Sequence, residues 1–451
     1  MAEPFACPAC GGHAFSVADR GWTCDSCALE FPLLDGVPAL YPDPDAALGG
    51  WRARLHAELR ALQSEWERID ATLESGSGSE LTRSRLRRLR DARRAYHDEL
   101  RTLCAPLLAG RPAASEETYN GVGTLRLPRQ GITSYEANAH RDWCWGRDEN
   151  EASVAALQAV VTPDRRPRRL LVLGSGAGRL AYDLHDRWDC EITVALDHSP
   201  LLTLIAARAA RGEAFELHEF PLAPRTLEDH AVARRLGAPA PARDGLHYVL
   251  GDALRAPLRE GWFDAVLTPW LLDVLPTPPE PLVARVNALL APGGSWLYFG
   301  SVNFMHQDPA RCLALEELLE IAGAAGFGEA RVHDQRMPYL CSPASRHARF
   351  EETVAFRAER LADAREVAAP EEAIWLGDTS RPVPRLPALE LRTLASRVQL
   401  AILELLDGRR SIDDVARELE RHQLMPRDEA RAEVRTFVAR ILEEAERVDL
   451  G

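Results

Sequence analysis

Residues Arg169 to His185 read RLLVLGSGAGRLAYDLH. The apolar run Leu170–Leu173 ends abruptly in Gly174-Ser175-Gly176-Ala177-Gly178, and a helical pattern starts at once. That is a buried strand, a tight glycine turn and a helix start. Gly174 and Gly176 let the backbone turn sharply and approach a ligand, while Gly178 lets helix and strand pack closely. The helix N-terminus offers free N–H groups to polar ligand atoms. Such a loop occurs in several classes of nucleotide-containing-ligand binders and in loops that bind nothing, so the flanking segments decide its meaning.

Outward from the loop, a second strand (EITVAL, Glu191–Leu196) ends in Asp197, about twenty residues on and placed to accept hydrogen bonds from a ribose. Gly251-Asp252-Ala253, Phe263-Asp264-Ala265-Val266-Leu267 and Leu289-Leu290-Ala291-Pro292-Gly293-Gly294 follow in order. The series resembles class I S-adenosylmethionine-dependent methyltransferases. The resemblance makes GSGAG the first motif, Asp197 the ribose acid, Asp252 the residue beside the adenine amino group, and LLAPGG the turn before the fifth strand. A dehydrogenase, the other reading of a glycine loop, has no place for LLAPGG.

The chain has 451 residues, enough for two to four domains. A hydrophobic content of 46% suffices for real cores. No apolar run approaches the ~18 residues of a membrane span, and the N-terminus shows no signal pattern. We therefore expect a soluble, cytoplasmic protein without membrane contact. A net charge of −14 argues against an extended nucleic-acid surface. Every basic side chain is arginine; there is no lysine. Four of the nine cysteines are clustered and five scattered, unlike a disulfide framework.

The cluster is Cys7-x-x-Cys10 and Cys24-x-x-Cys27, two thiolate pairs that suit tetrahedral Zn²⁺. A segment of about forty residues builds little core, so the metal would supply folding energy. Phe31-Pro-Leu-Leu-Asp-Gly-Val-Pro38 follows. It resembles the FP-x-x-DG-x-P tail of zinc-ribbon proteins that bind and activate certain methyltransferases, here fused in cis. A plain stability clip is the alternative. From Trp51 to about Leu73, and again from about Glu80 to Leu108, the pattern is helical, interrupted by Ser75-Gly-Ser-Gly-Ser79; an antiparallel hairpin is expected. Its arginine-rich run Arg83–Arg94 reads as a solvated face, with RNA contact the minority reading.

Before the first motif, Arg141-Asp142-Trp143 matches a segment of the carnosine N-methyltransferase-like family. In that family the arginine, and a polar residue three before it, touch the cofactor; these are Arg141 and Asn138. An arginine fork suits the methionine carboxylate, although a structural arginine–carboxylate pair is the alternative. The implied cofactor set is thus Asn138, Arg141, Gly174, Ser175, Gly176, Gly178, Asp197, Asp252 and Pro269. After the fourth strand, Thr268-Pro-Trp-Leu-Leu-Asp273 lies where the crevice of an open α/β sheet would admit an acceptor. Trp270 offers a flat wall there. The family's Thr-x-aromatic-x-x-Asp aspartate holds the substrate imidazole, and Asp273 matches it. The family's G-P-L-L-Y-H appears here as Gly300-Ser301-Val-Asn-Phe-Met-His306, with serine for proline and the histidine one residue later. His306 is the second catalytic candidate on that resemblance. Pro338–Ser342 and Phe350–Phe356 resemble the family's last substrate loop and closing strand, which adds Tyr339 and Phe350 to Trp270 and Asp273 as acceptor-binding candidates. Arg349-Phe350-Glu351 stands where carnosine-methylating members carry tyrosines, so the acceptor pocket is expected to differ.

The polar excursion 212–245, with His218, His230 and nearby His247, lacks metal-site spacing. The C-terminal region resembles the winged-helix fold of PqqD-related peptide chaperones, which bind leader peptides on a strand edge. Ser411 would cap its second helix. The charge balance of Arg417 and Arg421 with Glu418 and Glu420 disfavours DNA. The expected architecture is α/β: a zinc ribbon (1–46), a helical hairpin (47–112), a Rossmann-like methyltransferase domain (113–365), a linker (366–387) and a winged helix (388–451). The expected reaction is methyl transfer from S-adenosylmethionine to an imidazole-like nitrogen of a small molecule, dipeptide or peptide. An RNA or protein methyltransferase, a tailoring enzyme for a leader-borne peptide, and a non-catalytic binding module are the alternatives.

Overall fold

The chain enters through four short antiparallel strands, β1 (Phe15–Ala18), β2 (Gly21–Cys24), β3 (Glu30–Leu34) and β4 (Val37–Pro38), paired in that order. The computed structural model describes residues 4–19, 21–109, 131–275, 277–304, 309–364, 387–424 and 426–449. These group into two compact units, Met1–Trp66 with Glu80–Pro370, and Glu67–Ser79 with Glu371–Gly451.

Two long helices follow the small sheet, α1 (Pro44–Glu74) and α2 (Glu80–Leu103), separated by the Ser-Gly break; α1 up to Trp66 and all of α2 belong to the first unit. Arg93 Nε bonds Glu65 at 3.0 Å, and the Trp66 and His97 rings meet edge-on at 5.2 Å, which ties the two helices together. On the arginine-rich run, Arg83 and Arg87 pair with Glu80, and Arg90 with Asp91. The short α3 (Ala105–Leu108) ends this region. Next come α4 (Glu136–His140), a π-helical turn (Arg141–Trp145) and α5 (Arg147–Val160).

The central sheet then begins with β5 (Arg169–Leu173), α6 (Arg179–Arg187), β6 (Ile192–Asp197) and α7 (Pro200–Ala210). Ser199 caps α7 by accepting from the Leu202 amide, and Pro200 takes the first helical position, where no N–H is needed. The polar excursion contains a hairpin, β7 (Phe215–Glu219) and β8 (Val232–Leu236). The core resumes as β9 (Leu246–Leu250), β10 (Phe263–Pro269), α8 (Glu280–Leu289), β11 (Leu290–Gly300), α9 (Leu315–Ala324), β12 (Arg331–Tyr339) and β13 (Arg349–Glu359).

The seven strands lie in the order β9-β6-β5-β10-β11-β13-β12. All neighbours are parallel except β13, which runs antiparallel to both β11 and β12. This is the Rossmann-like α/β core expected from the glycine loop. Its order reverses at β5, so the crevice opens beyond the C-terminal ends of β5 and β10. Ala291–Gly294 form the expected turn as a bulge: Phe263 pairs with Leu290, but Ala265 pairs with Ser295.

Both sheet faces are covered, and the pleat sorts the side chains. Leu170 and Val172 join one core with Leu55, Leu59 and Leu100 of α1 and α2. Leu171 and Leu173 join the other with Val283 and Val286 of α8, with Phe5, and with Trp22 and Phe31 of the small sheet. The small sheet's aromatic centre is therefore continuous with the main core. Backbone bonds seal the junction: Ala6 N to Pro257 O at 3.0 Å, Arg259 N to Pro4 O at 2.9 Å and Leu40 N to Leu250 O at 2.8 Å.

The second unit contains α10 (Pro387–Leu405), α11 (Ile412–Arg421) and α12 (Arg427–Asp449). Ser411 caps α11 as expected and exchanges bonds with Asp414 in a capping box. Ile402, Val415, Leu419 and Val434 form its core. Among its described residues there is no strand, so the wing and strand edge expected of a winged helix are not among them. Most of the expected linker also lies outside the described residues. Among the described residues no helix is long and apolar enough to cross a membrane.

Candidate active site

The glycine loop is built as its sequence requires. Gly174, Gly176 and Gly178 have φ of +73°, +56° and +86°. A Cβ on Gly178 would meet Ala206 Cβ and Tyr248 Cε1 at 2.6 Å, so only glycine lets the loop pack on α7 and β9. A Cβ on Gly176 would meet nothing within 4 Å: that position faces open space. Asp197, 6% exposed, ties loop to strand, its carboxylate accepting from the Gly176 amide at 2.7 Å and from the Ser199 amide at 2.8 Å. Asp252 follows the adjacent strand and accepts from the Leu254 amide at 2.9 Å.

The π-helical turn is pinned to the same loop. Trp143 donates its indole N–H to Ala177 O at 2.7 Å. Arg141 grips the Asp142 carboxylate through Nε (2.8 Å) and Nη2 (2.7 Å), so the arginine–carboxylate pair is present. Asp142 in turn receives the Arg179 amide at 3.3 Å, and its carbonyl accepts from Arg179 Nη1 at 3.0 Å. Asn138 Oδ1 and Ser175 Oγ are buried with no partner among the described residues. Orphaned buried oxygens are costly unless a ligand satisfies them. Together with the open face of Gly176 they are groups that an adenosyl amino acid would satisfy.

On the acceptor side, β10 ends in Pro269 and the chain turns through Trp270 at φ +50°, a left-handed conformation that is strained for a bulky residue. The Trp270 amide donates to Phe299 O at 2.8 Å. Gly300 makes this possible, since a Cβ there would lie 3.2 Å from Trp270 N and Cα. The turn sends Leu271 onto Gly174, where a Cβ would meet Leu271 Cδ1 at 2.9 Å. The Trp270 ring packs on Tyr339 at 4.7 Å and on Phe299 at 5.8 Å. Arg141 stands 5.9 Å over the Tyr339 ring.

Asp273 sits in a single helical turn just beyond. Its Oδ2 is 3.4 Å from Ser301 Oγ, and its Oδ1 is buried without a partner among the described residues. Burial pushes its carboxyl up from the ordinary value to about 6, against the lowering effect of its hydrogen bonds. Asp273 also lines a cavity of about 210 Å³ with Leu275, Thr277, Glu280, Phe304 and Leu313. Thr277 Oγ1 and Glu280 Oε2 there are likewise buried without partners among the described residues. A larger cavity, about 540 Å³, lies between Ala6–His13 and Leu254–Glu260 and holds none of the cofactor or acceptor candidates.

The structure thus ties the turn carrying Arg141 and Asp142 to the glycine loop, ties the loop to Asp197, and sets Trp270 against Tyr339 with Arg141 over the latter; Asp252 follows the neighbouring strand, and Asp273 lines its own cavity with Leu275 and Phe304. The structure does not bring in Phe350, which is 59% exposed and stacks under Arg336 at 4.9 Å. His306 lies outside the described residues. Sequence reading missed Glu149, a buried acid that receives the Leu340 and Cys341 amides at 2.9 and 3.0 Å and so shapes the backbone beside Tyr339. It also missed the bond from Trp143; only the tryptophan of the Arg-Asp-Trp match hinted at it.

In the small sheet, the Cys7, Cys10, Cys24 and Cys27 Sγ atoms all lie within 4.8 Å of one another. The Cys7–Cys27 and Cys10–Cys24 separations are 3.7 and 3.6 Å. A tetrahedron with metal–sulfur bonds of about 2.3 Å has edges of about 3.8 Å, so the cluster fits Zn²⁺.

Residues 400–445 match the family described as Coenzyme PQQ synthesis protein D (PqqD). A search of curated proteins finds no match. Among solved structures, the chain is similar to a possible histamine N-methyltransferase from Thermotoga maritima, with 16% identity over 48% of this chain and 90% of that one, and a TM-score of 0.30. It is similar to phosphoethanolamine N-methyltransferase 2 of Haemonchus contortus, with 14% identity over 53% and 60% of the two chains and a TM-score of 0.33. It is also similar to the N-methyltransferase NodS of Bradyrhizobium japonicum, with 14% identity over 48% and 97% and a TM-score of 0.30. At such scores the core is defined by its strand order and its site, not by these neighbours.

Proposed function

We propose that this protein is an S-adenosylmethionine-dependent N-methyltransferase acting on an imidazole-like nitrogen, with a structural Zn²⁺ held by Cys7, Cys10, Cys24 and Cys27. One observation carries the acceptor assignment: Asp273, a half-buried carboxylate with one oxygen buried and unpartnered among the described residues, lies three residues beyond Trp270 on the segment whose Leu271 touches the glycine loop. Such an oxygen is costly to leave without a partner, and a ligand N–H would supply one.

The cofactor supplies an electrophilic methyl group. Asp197 and Asp252 are the acids for its ribose and adenine, and Asn138 with the Arg141 region serves its amino-acid end. Asp273 accepts the N–H of the acceptor's far ring nitrogen, which fixes the tautomer and leaves the near nitrogen's lone pair free to attack. It then balances the positive charge that develops on the ring. Trp270 and Tyr339 align the ring and exclude water. The test is methyl transfer from labelled cofactor to histidine, histidine dipeptides, histidine-containing peptides and bulk RNA. Labelling of an imidazole nitrogen supports the proposal; labelling of RNA alone, or of nothing, rejects it.

The PqqD match at 400–445 favours a second reading, that the acceptor is part of a peptide brought by the C-terminal unit. In that case the peptide arm of the same assay is labelled and the free amino acid is not.

A further inference from the structure

Residues 39–51 leave the small sheet and run along the cofactor side of the core. Ala39 makes a parallel bridge to Leu250, and the Leu40 amide donates to Leu250 O at 2.8 Å, just before the Gly251-Asp252 turn. Asp35, at the base of this arm, is held by Arg208 Nε at 3.0 Å and Arg211 Nη2 at 2.8 Å. Tyr41, 6% exposed, donates its hydroxyl to the carbonyl of His198 at 2.9 Å. Trp51, 5% exposed, places its ring 5.5 Å from the His198 imidazole, and the Arg54 guanidinium lies 4.2 Å from the same indole.

His198 is the residue after the ribose acid. Its Nδ1 is 3.6 Å from Asp197 Oδ1, yet its side chain is 53% exposed. One flat ring is therefore held at its backbone by Tyr41, backed by a buried indole, and left half open beside the acid. A flat, partly open heteroaromatic so braced fits a planar purine laid on it.

We propose that Tyr41 and Trp51 are positioning residues that hold His198 as the stacking face for the cofactor's adenine, which makes the N-terminal arm part of the cofactor site. This rests on the methyltransferase reading above.

The test is calorimetry on the full chain with S-adenosylhomocysteine and with 5′-methylthioadenosine, which lacks the amino-acid end. His198→Ala should weaken both ligands by the same factor, about tenfold, whereas Asn138→Ala should weaken only S-adenosylhomocysteine. Trp51→Leu should reproduce the His198→Ala loss, and the double variant should lose little more, because Trp51 acts only through the His198 ring it supports. Trp51→Phe should retain most of the affinity, and Tyr41→Phe should lose about threefold on both ligands. A purely architectural Trp51 would lower melting temperature without this coupling. Additive losses, or unchanged affinity in folded Trp51→Phe and Tyr41→Phe together with unchanged affinity in His198→Ala, overturn the proposal. If Trp51→Leu does not fold, the His198→Ala and Trp51→Phe results decide it. If parent protein binds neither ligand, or Asp197→Ala leaves binding intact, the methyltransferase reading itself has failed.

Discussion

The indole N–H of Trp143 reaches the carbonyl of Ala177 at 2.7 Å, so the turn carrying Arg141 and Asp142 is fastened to the centre of the glycine loop. Both partners are buried, and Asp142 adds a second tie through the Arg179 amide. The cofactor loop is thus shaped from the side that precedes it in sequence as well as by its own glycines. Trp143→Phe leaves the Ala177 carbonyl without its donor and should cost about 1–3 kcal/mol of stability. Denaturant unfolding should show this loss, with a matching fall in S-adenosylhomocysteine affinity. Unchanged affinity would separate the turn from the site.

The cysteine cluster should hold one zinc per chain. Because Trp22, Cys24 and Phe31 share a core with the main sheet, chelation should lower the melting temperature of the first unit and not merely unravel a tail. Metal analysis paired with calorimetry before and after chelation measures both. Cys24→Ser should lose the metal and reproduce the chelated protein.

Asp197 offers a sharper substitution. Its two oxygens each hold a backbone amide, Gly176 at 2.7 Å and Ser199 at 2.8 Å. Asp197→Ala removes a charged acceptor from both and from any ribose, so cofactor binding should weaken by about 1.5–3 kcal/mol, with a measurable loss of stability as well. Calorimetric titration of the folded variant with S-adenosylhomocysteine checks the first, and thermal unfolding the second.

Much of the core was legible because it is written in local pattern. The run Leu170–Leu173 marks a buried strand, the glycines mark a turn that needs positive φ, and the acid ends the next strand, each within a few residues. The Ser-Gly break between α1 and α2, and the cap at Ser411, were equally local. What escaped was long-range. Glu149 looks like any acid in a first helical turn, yet it is buried under the backbone of Leu340 and Cys341, nearly two hundred residues away. Tyr41 and Trp51 read as ordinary apolar positions, and only the fold sets them against His198. Phe350 shows the reverse case. Its register opposite Pro338 turns it outward, while Tyr339, one residue on, faces Trp270.

Asp273 gives the prediction that tests the acceptor assignment. Burial raises its carboxyl to about 6, above the ordinary value of 3.8, so the folded protein binds its proton more tightly than the unfolded chain. Stability from this group is therefore greatest at low pH and is lost as pH rises from about 4 through about 6. Asp273→Asn, which carries no charge, should be level with the parent near pH 4 and more stable than it at pH 7, as thermal unfolding across that range will show. Activity should move the other way. Only the ionised carboxylate can accept the ring N–H and balance the imidazolium, so the parent's turnover should rise through a limb near pH 6. Asp273→Asn should lose that limb and about a hundredfold in turnover, the scale for one preorganised charge-stabilising group. Cofactor affinity should stay unchanged, because the aspartate lines a cavity with Leu275 and Phe304 in which the glycine loop has no part. A variant with full turnover, weakened cofactor binding or a lower melting temperature at pH 7 would assign Asp273 to the scaffold and remove the imidazole-like acceptor with it.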